Sequence, residues 1–183
     1  KSGSQVPFLI RPGALAMNFE YGPILKLRFD LEKSLQDKKL VFFTAWEPGG
    51  EAHVTTITPP EMKILLHDNQ KYMSEDKINE IASEMRIQES DIEILGLGSG
   101  RKLIDGCSHE TYFLIVKSER LLEIRKRVYM EYLSAGGDKG AWNPEKFYPH
   151  ITVGFTLRDL HESDGVIKNL ENSFDRRFKI ELR

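Results

Sequence analysis

The sequence contains the pattern histidine, any residue, threonine at two distant places. One copy is His53-Val54-Thr55, and the other is His150-Ile151-Thr152 within the run 147–155. An imidazole titrates near neutral pH, so one histidine of a pair can accept a proton while the other donates one. If the two copies lie on neighbouring strands across a cleft, the pair predicts general acid–base catalysis.

Displacement at phosphorus is the chemistry that this pair fits best. One imidazole would activate the attacking oxygen and the other would protonate the leaving oxygen, while Thr55 and Thr152 would bind the non-bridging oxygens. Hydrogen bonds to charged groups contribute about 1.5–3 kcal/mol each, enough to orient a phosphodiester without a metal ion. A zinc site from the histidines would need three protein ligands, and the lone Cys107 adds little. We therefore expect no metal and no cofactor.

Strands are the elements that must position these side chains. Successive side chains of a strand leave opposite faces, so the run 147–155 has one apolar face and one face that carries its histidine and threonine. Around His53 the β-branched residues also favour a strand, and Pro59-Pro60 ends it because proline cannot donate to a ladder. The apolar face is Ile151, Val153 and Phe155, and the other face is His150, Thr152 and Gly154.

The rest of the chain alternates between strand and helix patterns. Interleaved strands and helices favour an α+β fold with helices on the outer faces of sheets. Further strands are predicted at 24–29, 40–46, 91–95, 111–116 and 178–182. Helices are predicted after a Ser74 cap, over 121–133 with a solvated charged face that includes Arg125, and over 165–170 after an Asp164 cap.

A glycine-rich stretch at 96–100 invites comparison with a nucleotide-binding loop. It lacks the third glycine of the dinucleotide fingerprint, and no helix pattern follows it directly. We therefore interpret it as a flexible hairpin tip, from which Arg101 and Lys102 begin the returning strand.

Length and composition limit the classes of protein. A chain of 183 residues is one ordinary domain with a real core, and a net charge of −2 excludes a strongly basic nucleic-acid coat but not one phosphate site. A single cysteine cannot form an internal disulfide. No apolar run has the length of a membrane span, and no signal segment opens the chain. We expect a monomer that does not bind membranes and is intracellular, in the cytoplasm or nucleus.

The first residues lack an initiator methionine. We expect 1–14 to be a cut edge or an extended N-terminal segment, and 15–183 to form a single bilobal domain that can be part of a larger multidomain protein.

The two motifs make the chain resemble the 2H phosphoesterase superfamily, which is defined by two His-x-Thr/Ser motifs on strands of a bilobal α+β fold. His53-Val54-Thr55 and His150-Ile151-Thr152 take the motif positions. The preceding Pro149 makes the second motif similar to those of the RNA-ligase-like and cyclic-phosphodiesterase branches. The likeness in element order spans 15–182, and one departure is Thr56, where the family usually has an apolar residue.

This resemblance implies a fold, a substrate and a product. The fold would be two antiparallel sheets that form a concave cleft, with helices on the outer faces. The substrate would be RNA or a nucleotide with a cyclic phosphate, and water would open a 2′,3′-cyclic phosphate end to leave a 2′-phosphate without a metal ion. We expect His150 to activate the water and His53 to protonate the leaving oxygen.

Residues outside the two motifs would bind the parts of the substrate beyond the reacting bond. No clear arginine lies beside either motif, so Arg28, Arg101 and Lys102 are only candidate helpers. Tyr148 and Trp142 lie near the second motif and could stack on a base, although packing in the protein is the commoner fate of such aromatic residues.

Two alternatives remain open from the sequence. The first is a nucleotide- or RNA-binding module that keeps both histidines but has little turnover. The second is another enzyme with the same two histidines, either a 2′,5′-oligoadenylate phosphodiesterase or a 3′-end RNA exonuclease.

Overall fold

A computed structural model describes residues 13–20, 22–36, 38–41 and 51–178 of the chain. The described residues form an α+β fold, as predicted. The strands are β1 (Leu15–Glu20), β2 (Glu51–Ile57), β3 (Glu93–Ile104), β4 (Cys107–Lys117) and β5 (His150–Phe155). The helices are α1 (Gly22–Ser34), α2 (Pro59–Leu65), α3 (His67–Gln70), α4 (Glu75–Glu84), α5 (Glu119–Ser134) and α6 (Leu170–Ser173).

The five strands form one sheet in the order β1-β2-β5-β4-β3. Strands β3 and β4 are an antiparallel hairpin whose register runs from Glu93↔Lys117 to Ile104↔Cys107. Strand β5 is antiparallel to β4, with Ile115 opposite His150. The expectation of two sheets that form a cleft therefore differs from the structure, which has a single sheet in the described part of the chain.

The chain divides into two compact units. Unit 1 comprises Lys1–Asn18, Val54–Ile92 and Ser118–Phe147, and unit 2 comprises Phe19–His53, Glu93–Lys117 and Tyr148–Arg183. Both motif histidines belong to unit 2.

Unit 1 is built around α4 and α5. Each helix begins at a serine whose side chain accepts a backbone N–H of the first turn: Ser74 accepts from Lys77 and Ser118 accepts from Leu121. Such caps satisfy amide donors that have no partner inside the helix. Both helices were predicted from the sequence, and these two predictions are confirmed. Their fully buried apolar residues are Ile78, Ile81, Ala82, Leu121, Ile124, Val128 and Tyr132.

Arg125 of α5 contradicts the prediction of a solvated charged face, because it is only 1% exposed. Its guanidinium forms two parallel hydrogen bonds with the Glu61 carboxylate, at 2.9 and 2.7 Å. It also donates to the carbonyl oxygen of Thr56 and to that of Pro144, both at 2.8 Å. A buried charge is tolerated when it is paired and hydrogen-bonded in this way. Arg125 therefore fastens the end of β2 and the loop before β5 to one helix.

Unit 2 contains a helix where the sequence pattern predicted a strand at 24–29. The segment lies within α1 instead, and Ile24 and Leu31 are its buried apolar residues. These two positions are seven apart, which is two helical turns, so they share one face. Pro23 suits the first turn of a helix, where its missing N–H costs nothing. A short apolar run does not by itself distinguish the 3.6-residue period of a helix from the two-residue period of a strand.

The glycine-rich stretch is the middle of β3, so the prediction of a hairpin tip is wrong. A Cβ on Gly98 would lie 2.3 Å from the Phe113 ring, and a Cβ on Gly100 would lie 2.6 Å from Val166. The actual turn is Asp105-Gly106, where both residues have positive φ, 49° and 77°. The glycines of β3 thus make room for side chains that cross the strand, which is a packing role.

Three further predictions differ or lie outside the described residues. The helix predicted over 165–170 is absent, since a 3₁₀ turn at Glu162–Asp164 ends at Gly165 in the left-handed region. The predicted strands at 40–46 and 178–182 lie mostly outside the described residues. At the described edge of the first, Val41 forms a bridge with Phe155 of β5.

We predict that Gly98→Ala destabilises the protein, because the added methyl group would force the Phe113 ring out of its place. Overpacking of this kind costs about 1–3 kcal/mol. Gly22→Ala is the matched control, since nothing lies within 4 Å of a Cβ at that position, and it should change stability by less than about 0.5 kcal/mol. Urea unfolding followed by circular dichroism measures both variants, and equal midpoints would contradict the prediction.

Candidate functional site

Strand β2 carries the first motif. Ala52 and Val54 on one face are fully buried, whereas His53 and Thr55 on the other face are partly exposed. This is the period-two alternation predicted from the sequence. Thr56, the departure from the family pattern, is fully buried on the Val54 face and is therefore part of the core.

Strand β5 carries the second motif, with His150 as its first residue. Its imidazole is partly buried and meets the ring of Phe113 edge to face, with centroids 5.7 Å apart and planes at 70°. Phe113 lies directly opposite Thr152 in the β4–β5 ladder, and Gly98 on β3 leaves room for the ring. Gly98 therefore makes room for the Phe113 ring that contacts the imidazole of His150.

The hydrogen bond of His150 determines its tautomer. Nδ1 lies 2.8 Å from the carbonyl oxygen of Tyr148. A carbonyl oxygen can only accept, so Nδ1 must carry the proton and donate it. In the neutral imidazole Nε2 then holds the lone pair. His150 is thus arranged to accept a proton at Nε2.

The surroundings of His150 favour its neutral form. Burial lowers its pKa from the ordinary 6.5 to about 3, with the positive charge of Lys168 as the second cause. The hydrogen bond to Tyr148 and the carboxylate of Asp159 act in the opposite direction, while the charge of His53 lowers the pKa further. Desolvation penalises the charged form of any group, and here it outweighs the favourable contacts.

The charge of His53 is among the causes that lower the pKa of His150, so the two motif histidines share one electrostatic environment. Their strands, β2 and β5, are neighbours in the sheet, and neighbouring strands lie about 5 Å apart. Two imidazoles within electrostatic range of each other are what an acid–base pair requires.

A buried ion pair beside His150 was not predicted from the sequence. Lys168 and Asp159 are 4% and 5% exposed, and Nζ lies 3.2 Å from both carboxylate oxygens. Thr111 also donates its hydroxyl to Asp159, and Nζ of Lys168 lies 5.2 Å from the centroid of the Phe113 ring. A single lysine in a loop gives no sequence signal, so only the tertiary structure reveals this pair.

Arg28 lies close to the strand face that carries His150 and Thr152. Its Cδ would be 3.2 Å from a Cβ on Gly154, the next residue on that face. Helix α1 packs on β5, and the absence of a side chain on Gly154 lets the arginine cross the strand. The candidate helper on α1 is therefore the one that the structure brings to this face.

The other predicted substrate-binding residues each have different partners in the structure. Tyr148 contributes its carbonyl to His150. Trp142 is 6% exposed and donates to Glu61 at 2.5 Å, which leaves little of its ring for a base. Arg101 pairs with Glu110, and Lys102 lies 3.8 Å from Asp164.

The hairpin register places Arg101 and Lys102 away from His150 along the sheet. Arg101 lies opposite Glu110, whereas His150 lies opposite Ile115. Five residues of strand span about 17 Å. The structure therefore does not bring these two cations to the motif histidines by backbone position.

Within residues 13–20, 22–36, 38–41 and 51–178, no three His, Cys, Asp or Glu side chains cluster as a metal ion would require. In the same ranges no helix has both the length and the apolar character needed to cross a membrane.

Comparison with protein families decides the relationship. Residues 13–161 match the family model described as the Swiss Army Knife, 2H phosphoesterase domain. The chain belongs to the 2H phosphoesterase superfamily. The match covers most of the chain and includes both motifs, so the resemblance inferred from the sequence is confirmed. Neither the curated proteins nor the solved structures gave a match.

Membership in the 2H phosphoesterase superfamily supports an activity of the phosphodiesterase type, and hence a hydrolase. The matched region ends at residue 161. Lys168 therefore comes from a segment of this 2H phosphoesterase that follows the matched region.

We predict that the wild-type protein loses stability relative to His150→Gln as the pH falls from 6.5 towards about 3, because the lowered pKa of His150 keeps the native imidazole neutral. The unfolded chain binds a proton there near pH 6.5, so acid favours unfolding by up to about 1.4 kcal/mol per pH unit. Urea unfolding at pH 7, 6 and 5 measures the difference, with His67→Gln as the substitution control. Parallel stability curves for wild type and His150→Gln would contradict the assignment.

Proposed function

We propose that this protein is a metal-independent phosphodiesterase that hydrolyses 2′,3′-cyclic phosphate ends of RNA or nucleotides to 2′-phosphates. His150 is the general base and His53 the general acid. The observation that carries the proposal is the hydrogen bond from Nδ1 of His150 to the Tyr148 carbonyl, because it leaves Nε2 as the proton-accepting nitrogen.

The reaction balances with these two residues and water. Nε2 of His150 takes a proton from water as the water oxygen attacks phosphorus. The bond from phosphorus to the 3′ oxygen breaks, and a protonated His53 supplies the proton that the 3′ oxygen requires. The product carries a 2′-phosphate and a 3′-hydroxyl. Each acid–base group of this kind contributes about 100- to 10,000-fold to the rate.

The hydroxyls of Thr55 and Thr152 bind the non-bridging oxygens of the phosphate. Thr55 follows His53 on the same face of β2, and Thr152 follows His150 on β5. Arg28 has its Cδ beside Gly154, on the strand face that carries Thr152, and its positive charge attracts an anionic substrate.

The low pKa of His150, about 3 in the ligand-free protein, also gives weight to the alternative of a binding module. A general base works best when its pKa lies near the working pH. A bound phosphodiester carries a negative charge, which raises the pKa of a nearby imidazole. In the enzyme the substrate thus brings His150 towards the useful range, whereas in a binding module no turnover follows.

We predict that His53→Gln and His150→Gln each lower kcat for adenosine 2′,3′-cyclic phosphate by about 100- to 10,000-fold, because each removes one proton-transfer group. Phosphorus NMR of the product, in buffer with EDTA, measures the rate and identifies the isomer. His67→Gln is the control, since His67 is exposed and belongs to unit 1.

The same assay distinguishes the alternatives. Hydrolysis by either histidine variant near the wild-type rate would contradict the two-histidine mechanism. Saturable binding of the cyclic nucleotide by wild type without any product would instead support the binding module. A preference for 2′,5′-linked oligoadenylate or for 3′-hydroxyl RNA over the cyclic phosphate would favour one of the other phosphodiesterase reactions.

We predict that Thr55→Val and Thr152→Val each lower kcat/KM by roughly 10- to 100-fold, as expected for the loss of one hydrogen bond to a charged group. Valine keeps the branched shape, so packing changes little. Thr56→Val on the same strand is the matched control: this side chain is fully buried, and its hydroxyl has no hydrogen-bond partner among the described residues. Normal kcat/KM in both motif variants would remove the phosphate-binding role.

A further inference from the structure

The surroundings of His150 contain a buried cation, Lys168, that belongs to neither motif. The Phe113 ring contacts the imidazole of His150, and Nζ of Lys168 lies 5.2 Å from the centroid of the same ring. Lys168 is held in place by Asp159, whose two carboxylate oxygens each lie 3.2 Å from Nζ. The ion pair is almost completely buried, so water screens its charges only weakly.

Such a pair is costly to place in a protein interior. Desolvation of a buried ion pair often exceeds the attraction between its charges, so it is weak evidence of a stabilising role. Two apolar residues of similar size would pack against the Phe113 ring, which belongs to a buried apolar cluster with Ile115, Leu160 and Val166. The presence of charges at this position therefore favours an electrostatic role towards a neighbouring group.

We propose that Lys168, held by Asp159 beside the Phe113 ring, is a positioning residue that disfavours protonation of His150 and so makes it the general base of the histidine pair. This inference rests on the proposed two-histidine function. It assigns a role to a residue outside the region matched by the family model, which ends at residue 161.

Other charged groups near His150 must be weighed against Lys168. Asp159 attracts a proton to the imidazole, and His53 on β2 repels one. Arg28 from α1 lies near Gly154 on the same strand face. Lys168 acts on the pKa of His150 more strongly than either Asp159 or His53. The net effect of the ion pair is therefore that of its ammonium group.

The test is an NMR titration of the imidazole of His150 in the ligand-free protein from pH 8 to pH 2.5, a range that includes its lowered pKa of about 3. Loss of the signal in His150→Gln assigns the resonance among the five histidines. The variants are Lys168→Met, Lys168→Arg and the double variant Lys168→Met/Asp159→Asn. Lys126→Met is the matched control, since Lys126 is about half exposed and pairs with Glu145 in unit 1. Circular dichroism verifies that each variant is folded.

We expect Lys168→Met to raise the pKa of His150 by about one unit, a typical effect of one nearby charge. The double variant should show a smaller rise, because it also removes the carboxylate that attracts the proton. Lys168→Arg and Lys126→Met should titrate like wild type. The acid limb of kcat/KM should move to higher pH in Lys168→Met, whereas a purely structural role would lower kcat/KM at every pH without moving the limb.

An unchanged titration of His150 in the folded double variant, or in folded Lys168→Met, would overturn the role of Lys168. The double variant keeps the test decisive if the unpaired Asp159 of the single variant prevents folding. Because the titration needs no substrate, the two proposals fail separately. A shifted titration without hydrolysis in any variant contradicts the proposed function, while hydrolysis by wild type with an unshifted titration contradicts only the Lys168 role.

Discussion

The hydrogen bond from Nδ1 of His150 to the carbonyl of Tyr148 is the interaction on which the candidate site depends. It connects a side chain to the backbone two residues earlier, so the chain that enters β5 fixes the orientation of the imidazole. It also commits one ring nitrogen as a donor and leaves the other with a lone pair. The proposal that His150 is the general base rests on that tautomer.

Among the described residues each unit contains one buried cation, Arg125 in unit 1 and Lys168 in unit 2, and the two have different partners. Arg125 in unit 1 has its donors satisfied by Glu61 and by backbone carbonyls of the loop before β5. Its role is structural, because it connects the end of β2, helix α2 and the loop before β5 to helix α5. Lys168 in unit 2 pairs with the carboxylate of Asp159, and its positive charge is one of the causes that lower the pKa of His150. Burial alone therefore does not distinguish a structural cation from one proposed to have a functional role. The groups with which each cation interacts make that distinction.

Sequence patterns correctly predicted the helices and strands whose apolar residues follow a clear helical or strand periodicity. The Ser74 cap and the stripe on α5 located two helices, and the alternation around each histidine located β2 and β5. Patterns failed where a short run fits two periods, as at 24–29, which is helical. They failed again at the glycines of β3, because a glycine in a turn and a glycine that admits a neighbouring ring have the same local sequence.

The sequence alone determined that the chain has two His-x-Thr strands and resembles the 2H phosphoesterases, because motif residues and strand alternation are local properties. The tertiary structure decided what neighbours each histidine has. Only the fold brings Phe113, Lys168 and Asp159 to His150, since their effect depends on distance and burial and not on position along the chain. The protonation state of a catalytic group is set by that environment, which no single stretch of sequence contains.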